Sequence, residues 1–264
     1  MITAMLPSQI LKNIHFRTSE KMAEVGNETI QAVVTSPPYW NLKDYKHADQ
    51  IGFGQSYEKY HQRLDCVWSE CKRVMKPDGT LWIVIDKITQ HDRIVHIPYD
   101  IVQRCRELGF YVQDMIVWNK PTAIAGMSPN NLVNKYENVI FLSKSKDFKV
   151  NLSPRSNIAP DYAKDGRMSD IWRFPVKAGS IRKTYAHEAP YPEELIQRIV
   201  RLSTDENDTI LDPFLGSGTT MKVALDLNRK AVGYEINPDY LPVIAERFRK
   251  LESPSLTHKL AEFA

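Results

Sequence analysis

The sequence predicts an α/β fold, a mainly parallel β-sheet covered on both faces by helices. Two observations carry this. Short runs at 30–34, 80–85 and 209–211 are apolar nearly throughout rather than alternating, as in strands buried on both faces. Between such runs lie longer stretches whose apolar residues recur at helical spacing. Composition agrees, since 264 residues with 42% hydrophobic and 25% charged side chains suit one large domain with a modest insertion.

In chain order, residues 13–16 are expected as a short strand and 19–25 as a short helix ended by Gly26-Asn27. The strand at 30–34 is stopped by Pro37 and Pro38, because adjacent prolines cannot donate to a sheet ladder. Residues 41–56 are polar and contain Gly52 and Gly54, so they read as a mobile loop able to close over a ligand. Tyr57, Tyr60, Leu64, Val67, Trp68, Cys71, Val74 and Met75 keep the spacing of one helix. Lys76-Pro77-Asp78-Gly79 is expected as a turn before the strand at 80–85. Pro98 near its start and Gly109 past its end bracket a helix over 98–108, and strands are expected at 110–118 and 137–143. The rest of 121–183 lacks periodicity and is rich in Pro, Ser, Asn and basic residues, so it reads as an insertion. Pro190, Pro192, Glu193 and Glu194 open a helix whose apolar side is Leu195, Ile196, Ile199, Val200 and Leu202. A strand at 209–212, a glycine-bearing turn, a helix at 221–227, a strand at 230–234 and a last helix through Tyr240, Ile244 and Phe248 follow.

Two strand ends carry chemistry. At Thr35-Ser36-Pro37-Pro38-Tyr39-Trp40 a rigid turn exposes the carbonyls of Ser36 and Pro37 beside the Ser36 hydroxyl, with the flat Tyr39 ring just beyond. Fixed acceptors next to an aromatic face suit a planar amine such as the exocyclic nitrogen of a nucleobase. The competing reading of Pro-Pro-Tyr is a polyproline-like loop or a ligand for a small recognition domain. Asp212 through Glu235 has the layout of a nucleoside-binding βαβ unit, with glycines for close backbone approach and a carboxylate at the end of the next strand for ribose hydroxyls. Met221 stands where a dinucleotide fingerprint needs its third glycine, which disfavours a nicotinamide-dependent oxidoreductase, and no Lys-Ser/Thr follows the glycines as a P-loop requires.

The N-terminal stretch shows no secretory signal and no apolar run long enough to span a bilayer, so a cytoplasmic protein is expected, prokaryote-like and nucleoid-associated, without membrane contact. Cys66, Cys71 and Cys105 lack paired metal-ligand spacing, so neither a disulfide framework nor a zinc site is expected. Net charge is +3, but residues 120–183 hold 12 basic against 5 acidic side chains, leaving the remainder mildly acidic. Tyr162, Trp172, Phe174 and Tyr185 interleave there with Lys164, Arg167, Arg173, Lys177, Arg182 and Lys183. Aromatics among cations suit a nucleic-acid surface, although packing of the insertion onto the body would also consume aromatics.

Asp212-Pro-Phe-Leu-Gly-Ser-Gly-Thr-Thr220 resembles the S-adenosylmethionine motif of amino-group DNA methyltransferases, and Thr35-Ser-Pro-Pro-Tyr-Trp40 resembles their catalytic motif. The catalytic motif comes first, as in the β-type, circularly permuted members. Lys76-Pro-Asp-Gly79, Ile116-Val-Trp-Asn-Lys120 and His187-Glu-Ala-Pro-Tyr-Pro192 also match stretches such enzymes carry. The resemblance implies a Rossmann-like fold with a seven-stranded, mainly parallel sheet, one catalytic domain over 1–264, and target recognition by the segment 121–183. It implies S-adenosyl-L-methionine as cofactor, lined by Asp212, Phe214, Gly216 and Gly218, with Thr219 and Thr220 on its carboxylate and Glu235 on its ribose. His187 and Pro190 would complete the methionine side. Ser36, Pro37, Pro38 and Tyr39 would hold the target base. The stretch Phe16-Arg17-Thr18-Ser19 lacks the acid that many relatives place near the adenine.

In that family Ser-Pro-Pro-Tyr is more often associated with cytosine N4 and Asp-Pro-Pro-Tyr with adenine N6. The expected function is methylation of N4 of a flipped-out cytosine, with adenine N6 as runner-up and a catalytically inactive nucleic-acid-binding module as the alternative of another class. Double-stranded DNA is the expected partner, a cognate restriction endonuclease an optional one, and the assembly a monomer or homodimer.

Overall fold

The computed structural model describes residues 8–121, 132–152, 168–176 and 191–249. In chain order these form α1 (Ser8–Leu11), β1 (Ile14–Phe16), β2 (Ile30–Thr35), α2 (Tyr57–Val74), β3 (Met75–Ile85), β4 (Ile88–Gln90), β5 (Arg93–Val95), α3 (Ile97–Glu107), β6 (Tyr111–Asn119), β7 (Tyr136–Ser143), β8 (Ile171–Arg173), α4 (Glu193–Ser203), β9 (Thr209–Asp212), α5 (Thr219–Asp226), β10 (Lys230–Glu235) and α6 (Leu241–Arg249). The main sheet has the order β1-β10-β9-β2-β3-β7-β6-β8, and β4 and β5 pair separately as a hairpin. Only β7 runs against its sheet neighbours, β3 and β6; the other pairs are parallel.

Burial on both faces explains the continuous apolar runs. Along β3, Leu81, Ile83 and Ile85 pack toward α2 and α3, while Trp82 and Val84 pack toward α4, α5 and α6. Every residue of β2 is buried. Ser56 caps α2, its side chain accepting from the Lys59 N–H at 3.2 Å, and Tyr60, Leu64, Val67, Trp68 and Cys71 form the buried stripe. Cys66 and Cys71 on α2 and Cys105 on α3 are free thiols.

Four local expectations are corrected. Residues 19–25 form turns instead of a helix, because α2 side chains take their backbone groups: Glu70 accepts from the Met22 N–H at 2.7 Å and Arg73 donates to the carbonyls of Met22 and Val25. Lys76–Gly79 lies inside β3 as a bulge, where the pairing jumps from Ile30–Met75 to Ala32–Thr80. The hairpin β4–β5 was not expected. Inside the presumed insertion, β8 adds an eighth strand to the seven implied by the resemblance. Its Trp172 and the following Phe174 are core residues rather than a nucleic-acid surface, with the Arg198 guanidinium 5.0 and 4.5 Å from their ring centres.

Candidate active site

Parallel pairing of β2 with β9 sets Ala32 against Ile210 and Val33 against Leu211. Both strands therefore end at the same edge of the sheet, at its centre, where ligand crevices form in open α/β sheets. A buried bond locks the two tips: Thr35 Oγ1 donates to Asp212 Oδ1 at 2.7 Å, across 177 residues of sequence.

The proline turn is held from behind. Tyr60 donates its hydroxyl to the Pro38 carbonyl at 2.9 Å, leaving the Ser36 hydroxyl and the Pro37 carbonyl without a bond to any described residue. Tyr39 is fixed at its phenol, which donates to Glu137 Oε2 at 3.2 Å and accepts from the Asp86 N–H at 3.1 Å. Burial, with the Glu137 and Asp86 carboxylates nearby, holds that phenol well above its ordinary pKa, so it remains a donor. Glu137 also pairs with Lys120 at 3.0 Å.

After β9 the chain turns through Gly216 and Gly218, whose φ values of +51° and +81° favour glycine. A Cβ on Gly218 would also lie 3.3 Å from the Phe248 ring of α6. The turn is clamped by the buried Arg247, whose guanidinium donates to the Ser217 carbonyl at 2.8 Å and to its hydroxyl at 2.9 Å. Glu235, ending β10, accepts from the N–H groups of Gly216 at 2.8 Å and Asn237 at 3.0 Å. Burial raises its pKa to about 7 in spite of those two bonds. The Thr219 hydroxyl is buried without a hydrogen-bond partner at the start of α5 and borders the cleft.

A cleft of about 1130 Å³ joins the two turns. Of the sequence-predicted residues, Ser36, Pro37, Pro38, Tyr39, Phe214, Gly216, Thr219 and Glu235 line it. Asp212, Gly218 and Thr220 lie behind its wall. The buried Asp212 carboxylate accepts from Thr35, from the Phe214 N–H at 3.1 Å and from the Tyr191 hydroxyl at 3.3 Å. Thr220 bonds the Tyr191 hydroxyl and donates to the Val34 carbonyl at 3.3 Å. Arg173 is exposed on β8 at the far edge of the sheet. His187, Pro190, Lys164, Arg167, Lys177, Arg182 and Lys183 lie outside the described residues.

The structure adds residues that the sequence reading missed. Asp86, Trp118, Lys120, Asn134 and Glu137 wall the cleft beside the proline turn, while Tyr45, Ile51 and Tyr240 wall it beside Glu235. Asp86 carried a usable signal, an acid directly ending a buried strand, as Glu235 is. Near Arg17 and Thr18, Glu20 is the nearest following acid, but its carboxylate is taken by Arg63 Nε at 2.9 Å and Thr18 Oγ1 at 2.9 Å.

A central parallel pair ending in a rigid acceptor turn and a glycine turn, both open to one cleft, defines a Rossmann-like methyltransferase. The DNA methylase family model for N6 and N4 amino methylation matches residues 30–246, and the chain belongs to that family. It is 32% identical over 273 aligned residues to the type II methyltransferase M.MjaI of Methanocaldococcus jannaschii, covering 89% of this chain and 90% of the relative. With the type II methyltransferase M.XycI of Xanthomonas campestris pv. cyanopsidis the identity is 31% over 252 residues, 84% of this chain and 82% of the relative. The structure of a DNA modification methylase from Thermus thermophilus, TTHA0409, complexed with S-adenosyl-L-methionine superposes with a TM-score of 0.67 at 28% identity, covering 90% of this chain and 93% of that one. No helix among the described residues is long and apolar enough to cross a membrane.

Proposed function

We propose that this DNA methyltransferase methylates the exocyclic N4 of a cytosine extruded from double-stranded DNA. Its methyl donor is S-adenosyl-L-methionine, which when bound supplies an electrophilic methyl on a sulfonium sulfur. The glycine turn fits that cofactor on physical grounds. Thr219 presents a buried, unpaired hydroxyl at a helix start, where N–H groups favour a carboxylate. Glu235 keeps lone pairs beyond its two backbone bonds for ribose hydroxyls, and Phe214 offers an apolar wall.

One observation carries the reading: the unengaged Ser36 hydroxyl and Pro37 carbonyl open into the same cleft as the unpaired Thr219 hydroxyl. An exocyclic amine is a poor nucleophile because its lone pair is delocalised into the ring. Two acceptors, Ser36 Oγ and the Pro37 carbonyl, would draw its N–H bonds and turn the lone pair outward. The Tyr39 ring would stack on the base, about 1–3 kcal/mol that offsets part of the few kcal/mol needed to extrude it. Alignment of amine and methyl can supply roughly 7–11 kcal/mol of barrier reduction, so positioning is the dominant effect.

Ser36, where relatives acting on adenine N6 more often carry Asp, favours cytosine. The test is incubation with labelled S-adenosyl-L-methionine and mixed-sequence DNA, followed by nucleoside mass spectrometry. N4-methyldeoxycytidine supports the assignment, N6-methyldeoxyadenosine moves it to the runner-up, and no modified nucleoside rejects catalysis.

A further inference from the structure

We propose that the β4–β5 hairpin is a DNA-contacting finger that engages the strand beside the extruded base; this rests on the cleft being where the DNA methylase takes its base. The hairpin stands at the cleft mouth. Asp86 and Lys87, which line the cleft, run directly into Ile88, the first residue of β4. Ile88 pairs with Val95, Thr89 with Ile94 and Gln90 with Arg93, in a sheet of their own.

Folding does not account for this element. Of its two strands only Ile88 is buried, and a two-stranded ribbon of that size is marginal alone. Its tip is made by His91 and Asp92 at φ values of +48° and +58°, a left-handed pair built without glycine.

Its chemistry suits a nucleic-acid strand. Arg93 is exposed and has no ion pair among the described residues, and beside it Ile94 is 56% exposed. Lys87 Nζ sits 4.3 Å from the ring centre of the exposed Tyr136, and the exposed Tyr99 ring lies 5.8 Å from that of His96. Cations interleaved with exposed rings engage phosphates and unstacked bases, and an apolar side chain at the edge of a base pocket can hold open the step that the base has left. Asp92 is the hairpin's one acid. By contrast, the described part of the segment expected to read DNA buries its aromatics and exposes Arg173.

The test compares the full chain with Arg93→Gln and Ile94→Thr. Binding of a fluorescein-labelled mixed-sequence duplex is followed by anisotropy over a salt series, and methyl transfer is followed on the same DNA. Arg93→Gln should flatten the slope of log K against log salt by about 0.9, the loss of one phosphate contact. Ile94→Thr should slow methyl transfer to duplex about tenfold or more, with a smaller effect on single-stranded DNA, where no step has to be opened. S-adenosyl-L-methionine affinity and the unfolding midpoint should match the parent in both. Unchanged salt slope and unchanged duplex rate overturn the finger. A parent chain that binds DNA but transfers no methyl overturns the proposed function instead, and the anisotropy series still reads the hairpin.

Discussion

Glu235 gives the cleft its clearest pH signature. Burial lifts its folded pKa from 4.5 to about 7, so folding takes up a proton between those values. Stability contributed at this residue is therefore full below about pH 4.5 and falls as pH rises to about 7. Urea unfolding of Glu235→Gln should show that fall removed; a parallel pH profile for parent and variant would reject it. If the ionised carboxylate accepts the ribose hydroxyls, cofactor affinity of the parent should instead rise through the same window, and calorimetry of the variant should give a weaker, flatter profile. Tyr39 permits a cleaner separation of functions. Tyr39→Phe keeps the ring and loses only the bonds to Glu137 and Asp86, whereas Tyr39→Ala removes the ring itself. Turnover should survive in part in the first and largely vanish in the second, about 1–3 kcal/mol of stacking being lost. Cofactor affinity should stay the same in both.

Between elements, the bond from Thr35 on β2 to Asp212 on β9 ties the acceptor turn to the glycine turn. Thr35→Val leaves a buried carboxylate short of one donor, which costs about 1.5–3 kcal/mol, and frees the two tips to separate. The expected result is a fall in kcat with little change in the KM for DNA, restored by Thr35→Ser; a variant differing only in thermal midpoint would reduce the bond to a structural role. These strands were legible in the sequence because both faces are buried and each ends in a turn whose residues are contiguous. Other parts were not, for stated physical reasons. Residues 19–25 had local helical spacing, but Glu70 and Arg73 on α2 outcompete it for backbone groups. Trp172 and Phe174 looked like surface aromatics because Arg198, which covers them, sits on α4. Lys120, Asn134 and Glu137 meet in the cleft only because β6 and β7 pair antiparallel, so no local pattern announces that wall.

At the scale of the molecule, the permuted order places the acceptor motif and the glycine motif far apart in the chain, yet β2 and β9 lie side by side at the middle of one sheet. The helices that cover its two faces share those strands as a common floor, so neither face can be lost alone. Trp68 reports one face and Trp82 the other, both being fully buried. Unfolding followed by tryptophan fluorescence and by far-UV circular dichroism should therefore give coincident transitions. A cofactor bound at the glycine turn touches the element that α5, α6 and β10 all hold, through Gly218, Arg247 and Glu235. Cofactor at one hundred times its Kd should stabilise the whole chain by about 2.7 kcal/mol, several degrees in Tm for a domain of this size. Gly218→Val, which forces a branched side chain into a left-handed position facing Phe248, should lower the midpoint without cofactor and abolish most of the cofactor-dependent rise. Calorimetry of the two proteins with and without S-adenosyl-L-methionine checks both, and an undiminished rise in the variant would show that the turn is not where the cofactor binds.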